Sequence, residues 1–478
     1  MPMVPFCITN PPFTGPNSPR HLGALEINRT MTPVRGGSAT RSPWWVVVGG
    51  SVLLMLQNGL IMSAFGAYLV AITADTGWSP GVVALGYAIV QLGNGFLAPL
   101  TGWCCDRFGA RAVARAGTVV TALGFALAGA ATGPALLVAG IVVIALGCSA
   151  AGVMPLTVAV VQAMPQRRTL ALGLLPTGIA LGGLAVPLVA WALDGMGWRA
   201  TFVGVAIVTL VCGLVACAAL PADRTTPQRL PASGGLDGPA AIGATEERHA
   251  VAGEQVRHGG RAPTGDHDLG SAVRTAAFWL LIAGHAAALV AVSAVNLHLV
   301  PLMTHHHGIP LATAGIAVAL MSTGQLLGQV VTAVIGDHVD KRVLAAVCMV
   351  VHTGALVALA TVSGVALVVL AAIVHGIAWG LRGPVMTALR ADYFGVGSFG
   401  SIMGWSAGFV SIGLVAGPLL GSVLAGTNGY PVAFLVLAGI TATGTIAFAV
   451  VRRPRGPSAL APANLRGEAA GRDPGRCR

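Results

Sequence analysis

A histidine, a tryptophan and an arginine lie inside a long apolar stretch in the second half of the chain, in HGIAWGLRGPVM. At about 100° per residue, His375, Trp379 and Arg382 share one stripe of a helix. If Arg390 marks the inner end of that helix, Arg382 lies about 12 Å deeper, near the middle of a membrane. A guanidinium is costly there, and its planar fork of donors matches a carboxylate. We expect Arg382 to bind an anion; structural pairing with helix-end carbonyls and snorkelling to the surface are the alternatives.

Other polar side chains also lie inside apolar stretches. Gln325 and Gln329 are four residues apart, and His285 and Asn296 are eleven apart, so each pair shares one helix face. Such residues either line a cavity or hydrogen-bond between helices. Gln91 and Asn94 are of the same kind, and we expect His352 to be structural. The substrate-binding candidates are Arg382, Trp379, His375, Gln57, Asn58, Gln325, Gln329, His285 and Asn296.

The composition is that of a membrane protein. Of the 478 residues, 55% are hydrophobic and 9% are charged, whereas a soluble protein carries about 25% charged residues. Uncharged stretches of about 20 residues recur, and each is long enough to cross a bilayer of about 30 Å. The stretches are continuously apolar rather than alternating, as membrane helices are. We predict an all-α polytopic membrane protein.

Twelve apolar spans, called span 1 to span 12, divide the chain into two halves of six. The first half covers 44–220 and the second covers 274–451, with polar tails at 1–43 and 452–478. The segment 221–273 is rich in Gly, Pro and charge, so we expect a flexible linker. The spans are predicted at 44–70, 80–104, 112–131, 134–163, 169–193, 199–220, 275–303, 311–335, 343–362, 364–389, 399–425 and 430–451.

The net charge of +11 is distributed as in a multi-pass protein. Apart from Arg382, the basic residues fall almost entirely in alternate loops and the tails, which argues against a nucleic acid partner. Basic loops face the cytoplasm, so we expect a plasma membrane protein, surrounded by lipid, with both termini inside. The polar, Pro-rich start predicts no cleavable signal peptide, and either Met1 or Met31 could be the first residue. The eight cysteines lack metal or disulfide spacing, so we expect neither metal nor cofactor.

The two halves carry matching landmarks. Asp106 and Arg111 follow span 2, and Asp337 and Arg342 follow span 8 with an offset of 231 residues. A second set, near the ends of span 5 and span 11, is offset by 231 or 232 residues. Internal repeats are typical of secondary transporters, whose substrate sites lie near the midplane between the halves. The second set pairs Pro187, Gly195, Trp198 and Phe202 with Pro418, Gly426, Tyr430 and Phe434.

The sequence GWCCDRFGAR at 102–111 resembles the loop 2–3 signature of the major facilitator superfamily, Gly-x-x-x-Asp-Arg-x-Gly-x-Arg. The resemblance covers about 44–451. It implies two pseudo-symmetric six-helix halves, alternating access, and spans 1, 4, 7 and 10 around a central cavity that Arg382 would face. It also implies a conformational latch; the alternative is that the arginines only hold the loop inside. The latch residues would be Gly102, Asp106, Arg107, Gly109 and Arg111, with Asp337 and Arg342 in the second copy.

A second resemblance narrows the family. RRTLALGLLPTG at 167–178 is similar to the signature that leads into helix 5 of the monocarboxylate porter and oxalate/formate antiporter group, and RADYFG at 390–395 also resembles that group. The chain departs from the group elsewhere. Ser42-Pro43-Trp44 replaces the Asp-Gly that precedes helix 1, span 1 has no Lys, and Gln325 and Gln329 stand in place of an Asp/Arg pair.

Acidic residues are absent from the interior of every predicted span, so Arg382 has no obvious acidic partner. A proton-coupled carrier usually needs an embedded carboxylate. We therefore predict a monomeric secondary transporter that moves a small organic anion, a mono- or dicarboxylate, by exchange or uniport. The alternatives are an efflux pump for amphipathic drug-like compounds and a non-transporting membrane sensor whose linker is the output element. We expect no enzyme, because no nucleophile–base constellation or nucleotide-binding loop is present.

Overall fold

A computed structural model describes the chain over five ranges, and every regular element within them is a helix. Most of the predicted tails and most of the predicted linker fall outside these ranges, as does Asp337. The side chains of Arg168, Thr169 and Phe399 are not described. The described ranges are 42–164, 167–221, 267–336, 338–395 and 398–454.

The first half builds its six spans from helices that are repeatedly interrupted. Gly152 is extended inside span 4, and Pro176 interrupts span 5 because proline supplies no backbone N–H. Span 1 contains a π-helical stretch, Asn58–Ser63. The helices are Trp44–Gln57, Phe65–Thr76, Pro80–Phe96, Ala98–Phe108, Ala110–Gly129, Pro134–Ala151, Val153–Ala163, Arg168–Leu174, Thr177–Gly182, the 3₁₀ turn Gly183–Ala185 and Val186–Cys217.

The second half has longer, more continuous helices. A short helix, Leu269–Val273, precedes span 7, and a π-helical stretch, Leu302–His306, ends that span. The remaining helices are Ala276–Pro301, Leu311–Ile335, Lys341–Thr361, Val365–Phe394 and Phe399–Val450.

Two glycines reveal the twelve spans. By length and composition the described residues contain nine membrane-spanning helices, and a tenth from a pair bent by 53° in span 2. Two of these, Leu170–Cys217 and Ser401–Val450, are 48 and 50 residues long, about twice what one crossing needs. Each is broken at a glycine in the left-handed region, Gly197 at φ 74° and Gly429 at φ 81°. Each therefore holds two spans, which confirms the predicted twelve and repeats at the predicted offset.

The end of the predicted linker belongs to the folded second half. Asp268 caps the helix Leu269–Val273 by accepting a 3.0 Å hydrogen bond from the backbone N–H of Ser271. The backbone N–H of His267 donates to the carbonyl of Phe394 at the end of span 10, also at 3.0 Å. The expected flexible segment therefore does not extend through residue 273, because capping and this backbone bond fix its last residues. The rest of the linker, 222–266, lies outside the described residues and stays a prediction.

The two halves pack together at one end of the bundle, the end opposite to Trp44 and Val451, which we call the remote end. The largest hydrophobic cluster joins residues of spans 1, 2 and 5 to residues of spans 7 and 8 there. Gly66 lies so close to span 7 that a Cβ would sit 2.6 Å from the carbonyl of Leu297. At the opposite end, the two remaining large clusters each belong to a single half. The interior is therefore closed at the remote end, and the cores of the halves separate towards Trp44 and Val451.

Candidate functional site

A cavity of about 420 Å³ lies mainly within the first half, between spans 1, 2, 4 and 5, with Leu414 of span 11 on its far side. Its polar lining consists of neutral side chains only. Apolar side chains such as Leu54 and Met62 complete the wall. Among the predicted substrate-binding residues, Gln57 and Asn58 line this cavity. The other polar lining residues are Gln91, Asn94, Ser149 and Thr157.

The two predicted amides of span 1 also tie helices together. Gln57 donates from Nε2 to the carbonyl of Cys148 on span 4 at 2.8 Å. Asn58 donates from Nδ2 to the carbonyl of Ile179 on span 5 at 2.7 Å and to Ser63 Oγ at 3.1 Å. The sequence left cavity lining and interhelical bonding as alternatives for these residues, and each of them does both.

Arg382 is buried in the interior of the second half. The side chain is 1% exposed, and its Nε and Nη1 have no hydrogen-bond partner in the described part of the chain. Its main electrostatic neighbours are Cys348 and Arg390. The opposite face of span 10 is pressed against span 8, where a Cβ on Gly376 or Gly380 would collide with backbone carbonyls. Arg382 therefore points away from span 8, towards spans 7 and 9.

His375 lies on the same stripe of span 10 and pairs with a residue of span 9. Its Nδ1 is 3.1 Å from Nδ1 of His352, and both rings are 0% exposed. One ring donates through Nδ1 and the other accepts, so the two imidazoles hold different tautomers. Neither Nε2 has a partner among the described residues. His352, which we expected to be structural, thus shares its environment with two predicted substrate-binding residues, His375 and Arg382.

Arg390 differs most from its sequence-based interpretation. The sequence treated it as the inner end of span 10, whereas its side chain is only 2% exposed. It donates from Nη2 to Nδ1 of His285 at 3.0 Å and from Nη1 to the carbonyl of Met386 at 3.2 Å. Nε has no partner among the described residues. Its position in the same helix as Arg382, two turns further on, was the signal that could have identified a second buried cation.

The remaining predicted substrate-binding residues are spread through the second half. Gln325 and Asn296 are buried, Gln329 and Trp379 are half-buried, and the amide oxygens of all three amides lack partners among the described residues. His298 was not singled out from the sequence. It is buried in span 7, where Nε2 lies 3.0 Å from the carbonyl of Pro418. It therefore joins span 7 to span 11.

The predicted latch residues lie at the ends of helices. Asp106 and Arg107 are exposed, and Gly109 ends the helix at φ 88°, which favours glycine. The ion pairs among the described residues are Arg199–Asp75 and Lys341–Asp392, so Asp106 is in neither.

The second copy of the latch is engaged differently. Asp340 caps span 9, accepting from the backbone N–H of Arg342 at 2.8 Å, and Arg342 donates from Nη1 to the carbonyl of Val451 at 3.0 Å. Lys341 pairs with Asp392 at 2.8 Å, which ties span 9 to span 10. The predicted partner Asp337 lies outside the described residues.

A larger cavity, of about 630 Å³, lies at the remote end beside Asp75 and Arg199. These two side chains form a 2.9 Å ion pair but are about half exposed, so the pair contributes little to stability. Within the described ranges, no group of three or more His, Cys, Asp or Glu side chains is arranged to hold a metal ion.

The family model of the Major Facilitator Superfamily matches residues 49–300 and 281–474. The chain belongs to the major facilitator superfamily. Its family is one of transporters, and the curated relatives support the resemblance to the monocarboxylate porter group. It is 29% identical to monocarboxylate transporter 13 of Rattus norvegicus over 202 residues, 41% of this chain and 44% of the relative. It is 30% identical to monocarboxylate transporter 11 of Mus musculus over 213 residues, 42% of this chain and 46% of the relative. The matches span less than half of these relatives.

Solved structures show the same fold. The facilitator resembles a bacterial homolog of the human lysosomal transporter Spinster in an inward-facing and occupied conformation, with a TM-score of 0.62 and 14% identity. That match covers 87% of this chain and 97% of the other. The inward-facing, unoccupied structure of the homolog gives a TM-score of 0.61 at 15% identity. Together with the twelve helical spans, these likenesses confirm the predicted fold of two six-helix halves.

Proposed function

We propose that this facilitator moves a small organic anion, a mono- or dicarboxylate, by alternating access, working as an exchanger or a uniporter. Arg382 is the charge partner of the substrate. We place it in the plasma membrane as a monomer with both termini in the cytoplasm, which the arginines of alternate loops support. The names of the partly matching relatives, monocarboxylate transporters 11 and 13, are consistent with this substrate class.

The observation that carries the proposal is the unpaired charge of Arg382. Burying a cation without a partner is unfavourable by several kcal/mol. The acidic residues of the described chain all lie near span ends or outside the spans, and none is among the charges that act on this guanidinium. A bound carboxylate would supply both the missing charge and acceptors for Nε and Nη1. The acidic residues in question are Asp75, Asp106, Asp194, Asp268, Asp340 and Asp392.

Alternating access gives the substrate a route to that charge. The halves are closed at one end of the bundle and their cores separate at the other. A buried anion site that is reached from one side at a time fits exchange or uniport. It requires no embedded carboxylate for proton coupling.

Counterflow in proteoliposomes tests the proposal without knowledge of any coupling ion. Vesicles are loaded with one acid from a panel of mono- and dicarboxylates, and uptake of its labelled form is compared for wild type, Arg382→Gln and the control Arg274→Gln. Arg274 is exposed near the start of span 7, so its loss should leave uptake unchanged. We expect wild-type uptake of at least one acid and its loss in Arg382→Gln. Equal uptake by all three proteins, or no uptake of any acid, would contradict the proposal.

One observation favours a second candidate, efflux of an amphipathic compound. The 420 Å³ cavity combines neutral amides with apolar side chains and contains no charged lining residue. An amphipathic compound held there would not need Arg382. Transport that survives Arg382→Gln but is lost in Asn58→Leu, with neutral compounds preferred over acids, would identify this function instead.

A further inference from the structure

Arg390 and His285 form a hydrogen-bonded pair of a cation and an imidazole that the role of Arg382 leaves unexplained. Arg390 lies at the inner end of span 10, and His285 lies on span 7. The Nη2–Nδ1 distance is 3.0 Å. Arginine can only donate, so Nδ1 of His285 must be the acceptor and its proton sits on Nε2. The imidazole is therefore neutral, and it has a second donor to offer.

The pair has unused hydrogen-bonding capacity. Nε of Arg390 is buried without a partner among the described residues. The ring of His285 is only half-buried, and no hydrogen bond of the described residues involves its Nε2. One charged donor, Nε of Arg390, and one neutral donor, Nε2 of His285, thus have no partner among the described residues. The vacant N–H of a guanidinium suits an anionic oxygen, and His285 holds this guanidinium in place.

His285 also links this pair to Arg382. The charges of both Arg382 and Arg390 act on its ring, and Arg390 is among the charges that act on Arg382. The two arginines are eight residues apart in one continuous helix, a rise of about 12 Å. Two like charges in a low-dielectric interior repel each other, so each is stabilised by an anion of its own. Among the described residues, neither has an acidic partner.

We propose that Arg390 and His285 form a second carboxylate subsite, so that the preferred substrate is a dicarboxylate with one carboxylate at Arg382 and the other at Arg390. The inference rests on the proposed function, because it takes Arg382 as the first carboxylate site. Arg390 lies nearer the end where the cores of the halves separate, so it meets an incoming anion first.

Matched acids separate the two subsites. Succinate and butyrate have the same number of carbons and differ by one carboxylate. Each acid is added as a competitor of the labelled substrate in counterflow by wild type, Arg390→Gln, Arg390→Lys and Arg382→Gln. A series of linear diacids from oxalate to suberate is tested in the same way with wild type. We expect wild type to prefer succinate to butyrate, with an optimum at one chain length in the series.

The variants should respond differently to the two acids. Arg390→Gln should weaken the binding of succinate at least about tenfold and that of butyrate hardly at all. One charge-assisted contact is lost from the diacid alone. Arg390→Lys should restore part of the preference, since the charge remains while the fork is lost. Arg382→Gln should weaken both acids.

Other outcomes would overturn the inference and leave the proposed function standing. If Arg390→Gln weakened both acids equally, the pair would be structural, as its bond to the carbonyl of Met386 would then suggest. Wild-type transport of butyrate with no advantage for any diacid would also overturn the second subsite. A wild-type protein that moves no acid of either kind contradicts the proposed function itself, so the two failures are distinguishable.

Discussion

The polar interiors of the two halves are built on opposite electrostatic plans. In the first half the polar groups are neutral amides and hydroxyls around a cavity, and Gln57 and Asn58 are held by backbone carbonyls of neighbouring spans. In the second half they include two guanidiniums and several imidazoles beside neutral amides such as Gln325 and Asn296, and several of their donor and acceptor atoms have no partner among the described residues. The two halves share one fold, but the interior amides of span 1 are hydrogen-bonded and neutral, whereas the interior of the second half holds cations with donors that are unpaired in the described part of the chain.

Replacing Arg382 by methionine should have the largest effect and separate function from stability. Anion counterflow should fall about a hundredfold, because two or more charge-assisted hydrogen bonds to the substrate are lost. The thermal unfolding temperature of the substrate-free protein should stay the same or rise, since an unpaired buried charge is removed. Counterflow and thermal unfolding in detergent measure the two effects. A fall of several degrees would mean that Arg382 is held by protein partners, and the contrast between the halves would disappear.

The loops after span 2 and span 8 extend the comparison to the latch. Asp106 is exposed and outside the ion pairs of the described residues, whereas Asp340 and Arg342 are engaged. Asp106→Ala should lower transport about tenfold, with normal membrane expression, if Asp106 pairs in the other access state. Asp194→Ala, at the opposite end of the bundle, is the matched control. Full activity of Asp106→Ala would reduce the motif to a topological signal.

The imidazole pair of the second half should show strong coupling. Either His352→Leu or His375→Leu leaves the other Nδ1 buried without its partner, which costs about 1–3 kcal/mol of unfolding free energy. The double variant should lose less than the sum of the two, because no unpaired imidazole remains at the contact. Equilibrium unfolding of the four proteins gives the coupling energy. Strict additivity would show that the 3.1 Å contact contributes nothing.

A smaller loss is expected in the first half. Asn58→Leu removes two hydrogen bonds and leaves the carbonyl of Ile179 without that donor, so the unfolding free energy should fall by about 1–2 kcal/mol. Asn94→Leu is the matched control: Asn94 lines the same cavity and is exposed, so its replacement should change stability by less than about 0.5 kcal/mol. Equal losses would show that the amides are not interhelical ties.

The smallest effect concerns pH and the cap before span 7. Hydrogen bonds from Ser271 hold the pKa of Asp268 below its usual range. Its contribution to stability is therefore present above the ordinary carboxyl pKa of about 3.9 and is lost as the pH falls through the lower, folded-state value. Thermal unfolding of wild type and Asp268→Ala should differ slightly at neutral pH and converge in acid. A difference that grows in acid would contradict the cap.

Much of the architecture follows from local properties of the chain. Burying an unpaired backbone in lipid is so unfavourable that each uncharged stretch of about 20 residues must be a helix, whatever its neighbours are. Twelve spans, two halves and the breaks near Gly197 and Gly429 were therefore readable from composition, spacing and repeat.

Tertiary structure alone decided which polar side chains meet. His352 and His375 are 23 residues apart and Arg390 and His285 are 105 apart, and these contacts depend on how span 10 packs against spans 7 and 9. Helical periodicity places a residue on a face but does not say which neighbour covers that face. For that reason Arg390 read as a boundary residue although it is buried. The sequence by itself determined that one cation, Arg382, lies in the membrane. Only the packing of the helices decided that Arg390 is buried as well and that neither arginine has an acidic partner among the described residues.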